Sequence, residues 1–180
     1  EGEYTYRYKT PLRIGAGLAY IFGTREDVST QKGFITADVE YVSYKNNAFN
    51  TQDNTNQGDK DYFNDLNGTM KNVFTSAVNI RLGGELKFET VMVRAGFGYY
   101  GNPYTNNYFN NQPGDIINAS RMNVSGGLGW RNKGMFVDLT YIHQIIKDAY
   151  YPYRLDEGVF NAAKLSNTIG NILLTIGFKF

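Results

Sequence analysis

Seven stretches of the chain alternate apolar and polar residues at period two, and that alternation is its clearest signal. Successive side chains of a strand point to opposite faces, so each stretch predicts a strand with one oily side and one polar side. The apolar files run Leu12, Ile14, Ala16, Leu18, Tyr20, Phe22; Ile35, Ala37, Val39, Tyr41; and Phe74, Val78, Ile80, Leu82, Leu86, Phe88. They continue with Val91, Val93, Ala95, Phe97, Tyr99; Met122, Val124, Leu128, Trp130; Met135, Val137, Leu139, Tyr141; and Ile172, Leu174, Ile176, Phe178, Phe180. Thr90 and Lys133 fall in turns of one to three residues, whereas loops 46–72, 101–119 and 151–163 are long, polar and rich in Asn, Asp, Gly and Tyr. Short turns on one side and long loops on the other are the habit of outer-membrane β-barrels. The 23–32 connection breaks the rule, being on the short side yet about ten residues long.

Alternation alone does not say which face points inward, because a soluble barrel carries the same pattern reversed. The aromatics decide between the two. Phe22, Phe88, Trp130 and Phe178 close the files on the short-turn side, and Tyr41, Phe74, Tyr99 and Tyr141 close them on the long-loop side, with aliphatic residues between. Two aromatic girdles around an aliphatic band match a bilayer and its interfaces. A strand ending on Phe180 also resembles the signal read by the outer-membrane assembly machinery, which is thereby an expected partner. The expected fold is all-β, an antiparallel transmembrane β-barrel with about seven strands here. A bacterial barrel normally has an even count, so residues 1–180 read as the C-terminal part of a larger barrel, with a complete eight-stranded barrel as the alternative. Glu3 to Lys9 stays in phase with Leu12 across Pro11 and reads as one long strand with a kink or bulge at the proline, which has no N–H to give. The chain starts at Glu1 without an initiator Met or a signal peptide, and reads as a processed protein or a piece of one.

Composition supports this picture only after the strands are in place. With 180 residues, 42% hydrophobic and a mean hydropathy of −0.43, the chain is polar on average, as a barrel can be when only alternate residues meet lipid. No run approaches the about 18 apolar residues of a spanning helix. A net charge of +1 gives no reason to expect a nucleic-acid partner. The absence of cysteine excludes disulfides and thiolate chemistry.

The polar files carry the candidate chemistry. Arg13, Asp38, Glu40, Arg81, Glu85, Lys87, Arg94, Arg121, Arg131 and Asp138 would face inward, with charges of both signs on neighbouring strands. By strand depth, Arg13, Glu40 and Arg81 share one level and Glu85, Arg94 and Asp138 a lower one. Such a ladder either pairs its ions to stabilise a narrow lumen or forms a polar constriction that selects permeants. Inward glycines such as Gly15, Gly17, Gly83, Gly96, Gly127, Gly129 and Gly177 provide either curvature or a smooth wall for a plug or ligand. His143 lies on the lipid-side file just beyond Tyr141, a place for an interfacial residue and not for a catalytic base. Asp53, Asn54, Asn56, Asp59 and Asp61 are rich in oxygen but lack calcium-loop spacing and its closing Glu. No metal, cofactor or enzyme activity is expected, since Ser76 and Ser120 have no grouped His and Asp to serve them.

With the strands in place, the chain resembles the C-terminal half of the long-chain fatty-acid transporter (FadL/TodX-like) family of Gram-negative outer-membrane proteins. The likeness rests on TPLRIGAGLAYIFG at 10–23, GFITADVEYVSY at 33–44, NIRLGGELKF at 79–88, VRAGFGYYGNPY at 93–104 and ILLTIGFKF at 172–180, in that order. It implies a fourteen-stranded barrel with an N-terminal hatch, set in the outer membrane and taking up hydrophobic compounds such as fatty acids without energy coupling. It further implies that Phe63, Tyr100, Tyr104, Tyr108 and Phe109, with Leu66, are candidate surfaces for capturing the ligand on the loops, or else interfacial anchors. Some barrels of this family are subunits of secretion machines whose loops bind a protein. That is the runner-up, and a small structural or adhesion barrel is a third reading.

Overall fold

A computed structural model describes residues 5–23, 31–52, 56–105, 118–150 and 163–178. The elements follow the order β1 (Tyr6–Lys9), β2 (Leu12–Phe22), β3 (Gly33–Ser43), a 3-10 turn (Tyr44–Asn46), β4 (Ala48–Thr51) and α1 (Gln57–Val73). After them come β5 (Ser76–Phe88), β6 (Val91–Tyr100), β7 (Arg121–Asn132), β8 (Met135–Tyr150) and β9 (Ala163–Phe178). Strands β2, β3, β5, β6, β7, β8 and β9 form one seven-stranded antiparallel sheet, while β1 and β4 form a two-stranded ribbon.

The sheet is an uninterrupted meander whose register keeps every apolar file on the same face. Leu18 stands opposite Ala37, Ala37 opposite Leu82, Leu82 opposite Phe97, and Phe97 opposite Val124. On β8 and β9, Leu139 pairs with Leu174 and Val137 with Ile176. A slip of one residue in any pair would turn a whole file over, so a single face-to-face match across all seven strands is strong internal consistency. Two tight turns help to fix it. Lys133 (φ 41°) and Gly134 (φ 84°) both adopt left-handed backbone between β7 and β8, as a type I′ hairpin requires, and Glu89 (φ 47°) does so between β5 and β6.

The sheet does not close into a barrel. Its edge strands β2 and β9 are exposed along nearly their whole length, and the apolar face stands open, with Leu18 83% and Ile172 76% exposed. The buried apolar residues are few, and Val42, Ala77, Phe63 and Val73 lie towards the loop end of the sheet.

Four expectations change here. The described part of the Glu3 to Lys9 segment, β1, does not continue β2 as one long strand. Pro11 interrupts the ladder, and β1 leaves the sheet to pair with β4 in the register Tyr6 to Thr51 and Lys9 to Ala48. The 46–72 segment is not an open loop, because it holds β4 and the 17-residue helix α1. Asn56 caps that helix, its side-chain oxygen accepting from Gly58 N at 3.0 Å and Asp59 N at 3.4 Å. Phe74 belongs to the C-cap of α1 instead of to β5, whose first residue is Ser76. Finally, β8 and β9 run on to Tyr150 and from Ala163, well past the apolar files that end at Tyr141 and begin at Ile172.

Candidate functional site

The polar face is organised around Arg94. Register places Glu85 directly opposite it on β5 and Gly127 opposite it on β7, with Thr140 of β8 beyond. The guanidinium donates Nε to Glu85 Oε2 at 2.5 Å and Nη1 to Asp138 Oδ1 at 2.7 Å. Asp138 sits two strands away from Arg94, so this pair spans β7, a distance of roughly 10 Å between strand axes. Glycine makes that reach possible. A Cβ on Gly129 would lie 2.5 Å from Asp138 Oδ1 and 3.2 Å from Met92 Cε, so only the bare backbone leaves room for the carboxylate. Lys87 adds a second cation 3.9 Å from Glu85 Oε1. The four groups balance as two cations and two anions, and Glu85 and Asp138 keep only 10% and 16% of their side-chain surface exposed. A network of this kind holds neighbouring strands at a fixed spacing, since carboxylates drawn out of water need their counter-charge.

The second group of charges lies nearer the loop end and is built differently. Arg13 Nη1 is 3.7 Å from Glu40 Oε1, with the arginine side chain 58% exposed. Glu40 also accepts from Asn79 Nδ2 at 2.8 Å, because Asn79 is its register partner on β5. Arg81 does not join this level, as register sets it opposite Asp38 instead. Among the described residues no ion pair within 4.0 Å joins Arg81 to either carboxylate. Asp38 instead leans over Gly17, whose added Cβ would collide with the Asp38 carboxylate. Thus the levels expected from strand depth bring together Glu85, Arg94 and Asp138, and also Arg13 and Glu40, but leave Arg81 apart.

The polar-face glycines therefore serve a definite purpose beyond bending the strands: many receive a neighbour's side chain. Phe136 lies over Gly177, and the Arg131 guanidinium sits over the Phe136 ring, its Cζ 5.8 Å from the centroid. Ser125 Oγ would stand 2.6 Å from a Cβ on Gly96, and Thr36 Oγ1 3.1 Å from one on Gly83. Gly83 pairs with Gly96 and Gly84 with Ala95, so the wall is thinnest where β5 meets β6. A mainly apolar depression of 740 Å³ follows this thin place across the middle strands, with Leu18, Ile35, Leu82 and Phe97 among its lining.

The loop end is covered by a folded cap. Phe63 of α1 is buried and stacks on Phe49 of β4 at 6.5 Å between ring centroids, and Tyr6 and Tyr8 of β1 pack on the same Phe49 ring. Phe63 is thus a packing residue of the cap, and the surface aromatic beside it is Tyr62, 63% exposed. Leu66 is partly buried on the same helix. Asn67 locks α1 to the ribbon by accepting from Phe49 N and donating to Phe49 O, both at 2.7 Å. Tyr104 forms an isolated bridge with Phe74 and stacks on its ring at 5.4 Å, and Thr105 N donates to Val73 O at 2.8 Å. Tyr100 ends β6 on the polar face, opposite Arg121. Tyr108, Phe109, Phe180, Asp53 and Asn54 lie outside the described residues.

On the apolar face, Tyr141 Oη lies 3.1 Å from His143 Nδ1, and the same ring leans over Gly170 of β9. Among the described residues there is no cluster of three or more His, Cys, Asp or Glu able to hold a metal, and no helix long and apolar enough to cross a membrane, which says nothing of strands. No family model matches the chain, and no curated protein matches it.

Proposed function

We propose that the seven-stranded sheet is part of the wall of an outer-membrane β-barrel that lets hydrophobic small molecules, such as fatty acids, pass without energy coupling. The observation that carries the membrane half of this reading is the apolar face: seven files held in register, aliphatic in the middle and open to the surroundings, with Phe22, Phe88, Trp130 and Phe178 towards one margin and Tyr41, Tyr99 and Tyr141 towards the other. An apolar surface of that extent is rare on a soluble monomer and is what hydrocarbon would cover.

The open edges sharpen the reading. Because an antiparallel sheet of seven strands begins and ends on strands of the same direction, β2 and β9 run parallel to each other. Pairing them directly would give a parallel seam, and leaving them unpaired in hydrocarbon would strand backbone donors and acceptors. An even, fully antiparallel barrel therefore takes an odd number of further strands between them: one gives eight strands and seven give fourteen. Passage of a permeant is supported by the sequence resemblance; the apolar depression over the thin β5–β6 wall lies on the face given to lipid, and the Arg94 network braces the opposite face.

The absence of cysteine makes a clean test possible. Single cysteines at Val93, Leu139 and Leu174 should resist a membrane-impermeant maleimide in intact bilayers, while one at Asn123 on the opposite face should react in an open lumen. Equal labelling on both faces would remove the membrane reading. Binding of a long-chain fatty acid by the detergent-extracted protein then tests uptake, and no binding would leave the runner-up ahead. That second reading, a barrel whose loop end docks a protein, is favoured by one observation: β4 and α1 form a folded cap there, with Tyr62 exposed on the helix.

A further inference from the structure

The polar face changes character on the last hairpin. Between Asp138, held by Arg94, and Asp148, every rung of β8 and β9 on that face joins one apolar and one uncharged polar side chain: Thr140 with Leu173, Ile142 with Asn171, Gln144 with Ile169, and Ile146 with Asn167. The apolar member switches strand at each rung. Leu173, Ile142, Ile169 and Ile146 therefore form a zigzag of diagonal neighbours, each roughly 7–8 Å from the next, and the line runs roughly 20 Å along the strands. The three isoleucines are half-buried and Leu173 is 49% exposed. On the β7 side the Gln144 amide donates Nε2 to Asn123 Oδ1 at 2.9 Å, so that margin satisfies its own polar group.

These dimensions select the occupant. The line is a single side chain wide, because β7 sets only Arg121, Asn123, Ser125 and Gly127 beside it. A helix presents an apolar stripe of about 100° or more and a second sheet a whole inner face, and either would bury the flanking amides. One extended hydrocarbon chain is narrow enough. The line is also comparable in length to the about 15 Å that such a chain spans in half of a bilayer's hydrocarbon. Charge agrees, since these rungs hold no ionisable group that a neutral chain would have to desolvate. We propose that Leu173, Ile142, Ile169 and Ile146 form a track for the acyl chain of the permeant on the inner wall of the β8–β9 hairpin. The inference rests on the uptake reading above and adds the place where the chain lies.

The test introduces single cysteines into the otherwise cysteine-free full chain, held in mild detergent, with a sixteen-carbon fatty acid as the probe. I142C and I169C should react with a water-soluble maleimide when no acid is present, and roughly tenfold more slowly when it is, because a covered thiol is withdrawn from the reagent. Arg81→Cys, three strands away on the same face, should be labelled alike in both conditions. The double variant I142N/I169N should bind the acid roughly tenfold more weakly, about the loss of two methylene contacts, while I142L/I169L keeps the parent affinity and so separates lost packing from lost folding. Full labelling of I142C and I169C although the acid is bound would overturn the track and leave uptake standing. So would equal protection of Arg81→Cys, which would spread the ligand over the whole face. An I142C thiol that is unreactive before any acid is added would show polypeptide already lying on the line, and would overturn the track as well. A parent chain that binds no acid in equilibrium dialysis removes the uptake reading itself, a separate and recognisable result that takes the track with it.

Discussion

Two arginines on the polar face meet carboxylates, and they do so in opposite ways. Arg94 is gripped by Glu85 and Asp138 at 2.5 and 2.7 Å, with both carboxylates mostly covered, whereas Arg13 approaches Glu40 at 3.7 Å from a largely exposed position. The difference lies in the neighbours. Beside Arg94, the side-chain-free positions Gly127 and Gly129 let one guanidinium bridge from β5 to β8, while Arg13 sits on the edge strand β2 with its side chain 58% exposed. Charge on a polar face thus stabilises the sheet only where the strands between the partners are cleared and the partners are dehydrated.

The sharpest way to break the comparison is Arg94→Ala. It leaves Glu85 and Asp138 without their shared cation, and we expect a loss of about 3 kcal/mol in denaturant unfolding, the low end for a buried network because Arg94 is 31% exposed. A loss below about 1 kcal/mol would place both arginines in the same class. Gly129→Val attacks the cleared floor instead. Its Cβ would sit 2.5 Å from Asp138 Oδ1, so the carboxylate must move away, costing about 2 kcal/mol by overpacking. The cost should shrink when Asp138 is already Ala, and an unchanged cost in that background would deny glycine its role. Arg81→Glu puts a carboxylate opposite Asp38 and should cost about 0.5 kcal/mol from like charges facing across β3 and β5. Unfolding in high salt should erase that difference. Arg13→Ala should be the mildest, within about 0.5 kcal/mol of the parent at moderate ionic strength. Should it equal Arg94→Ala, exposure is not what separates the two sites.

The strands of the sheet were legible because period-two alternation is a direct consequence of strand geometry, and Leu82, Val93 and Leu139 fall on the face that their files predict. Strand ends were harder to read. Above Tyr141 and Ile172 both faces of β8 and β9 mix polar with apolar residues, as at Lys147, Asp148 and Asn167, so alternation fades while backbone pairing continues. Helix α1 was missed although it left a trace: Phe63, Leu66, Met70 and Val73 recur at three- and four-residue spacing after the capping Asn56. Its polar surroundings and Gly68 hid the pattern. Among the charges, the Arg94 group could be foreseen from strand depth, but Arg81 could not, because a register shift of two residues, which keeps every file on its face, decides whether it stands opposite Asp38 or Glu40. The glycines needed coordinates most of all, since what fills the space above Gly17 or Gly129 belongs to another strand.

Asn67 closes the molecule in a way that reaches beyond the cap. Its carboxamide offers Phe49 one acceptor and one donor, the same two groups that a neighbouring peptide would offer on the side of β4 turned away from β1. A single side chain thus imitates a short strand and leaves that margin without a vacant template for another polypeptide to extend. Asn67→Ala would uncover it, and self-association through the ribbon, scored by sedimentation velocity, should then rise with protein concentration.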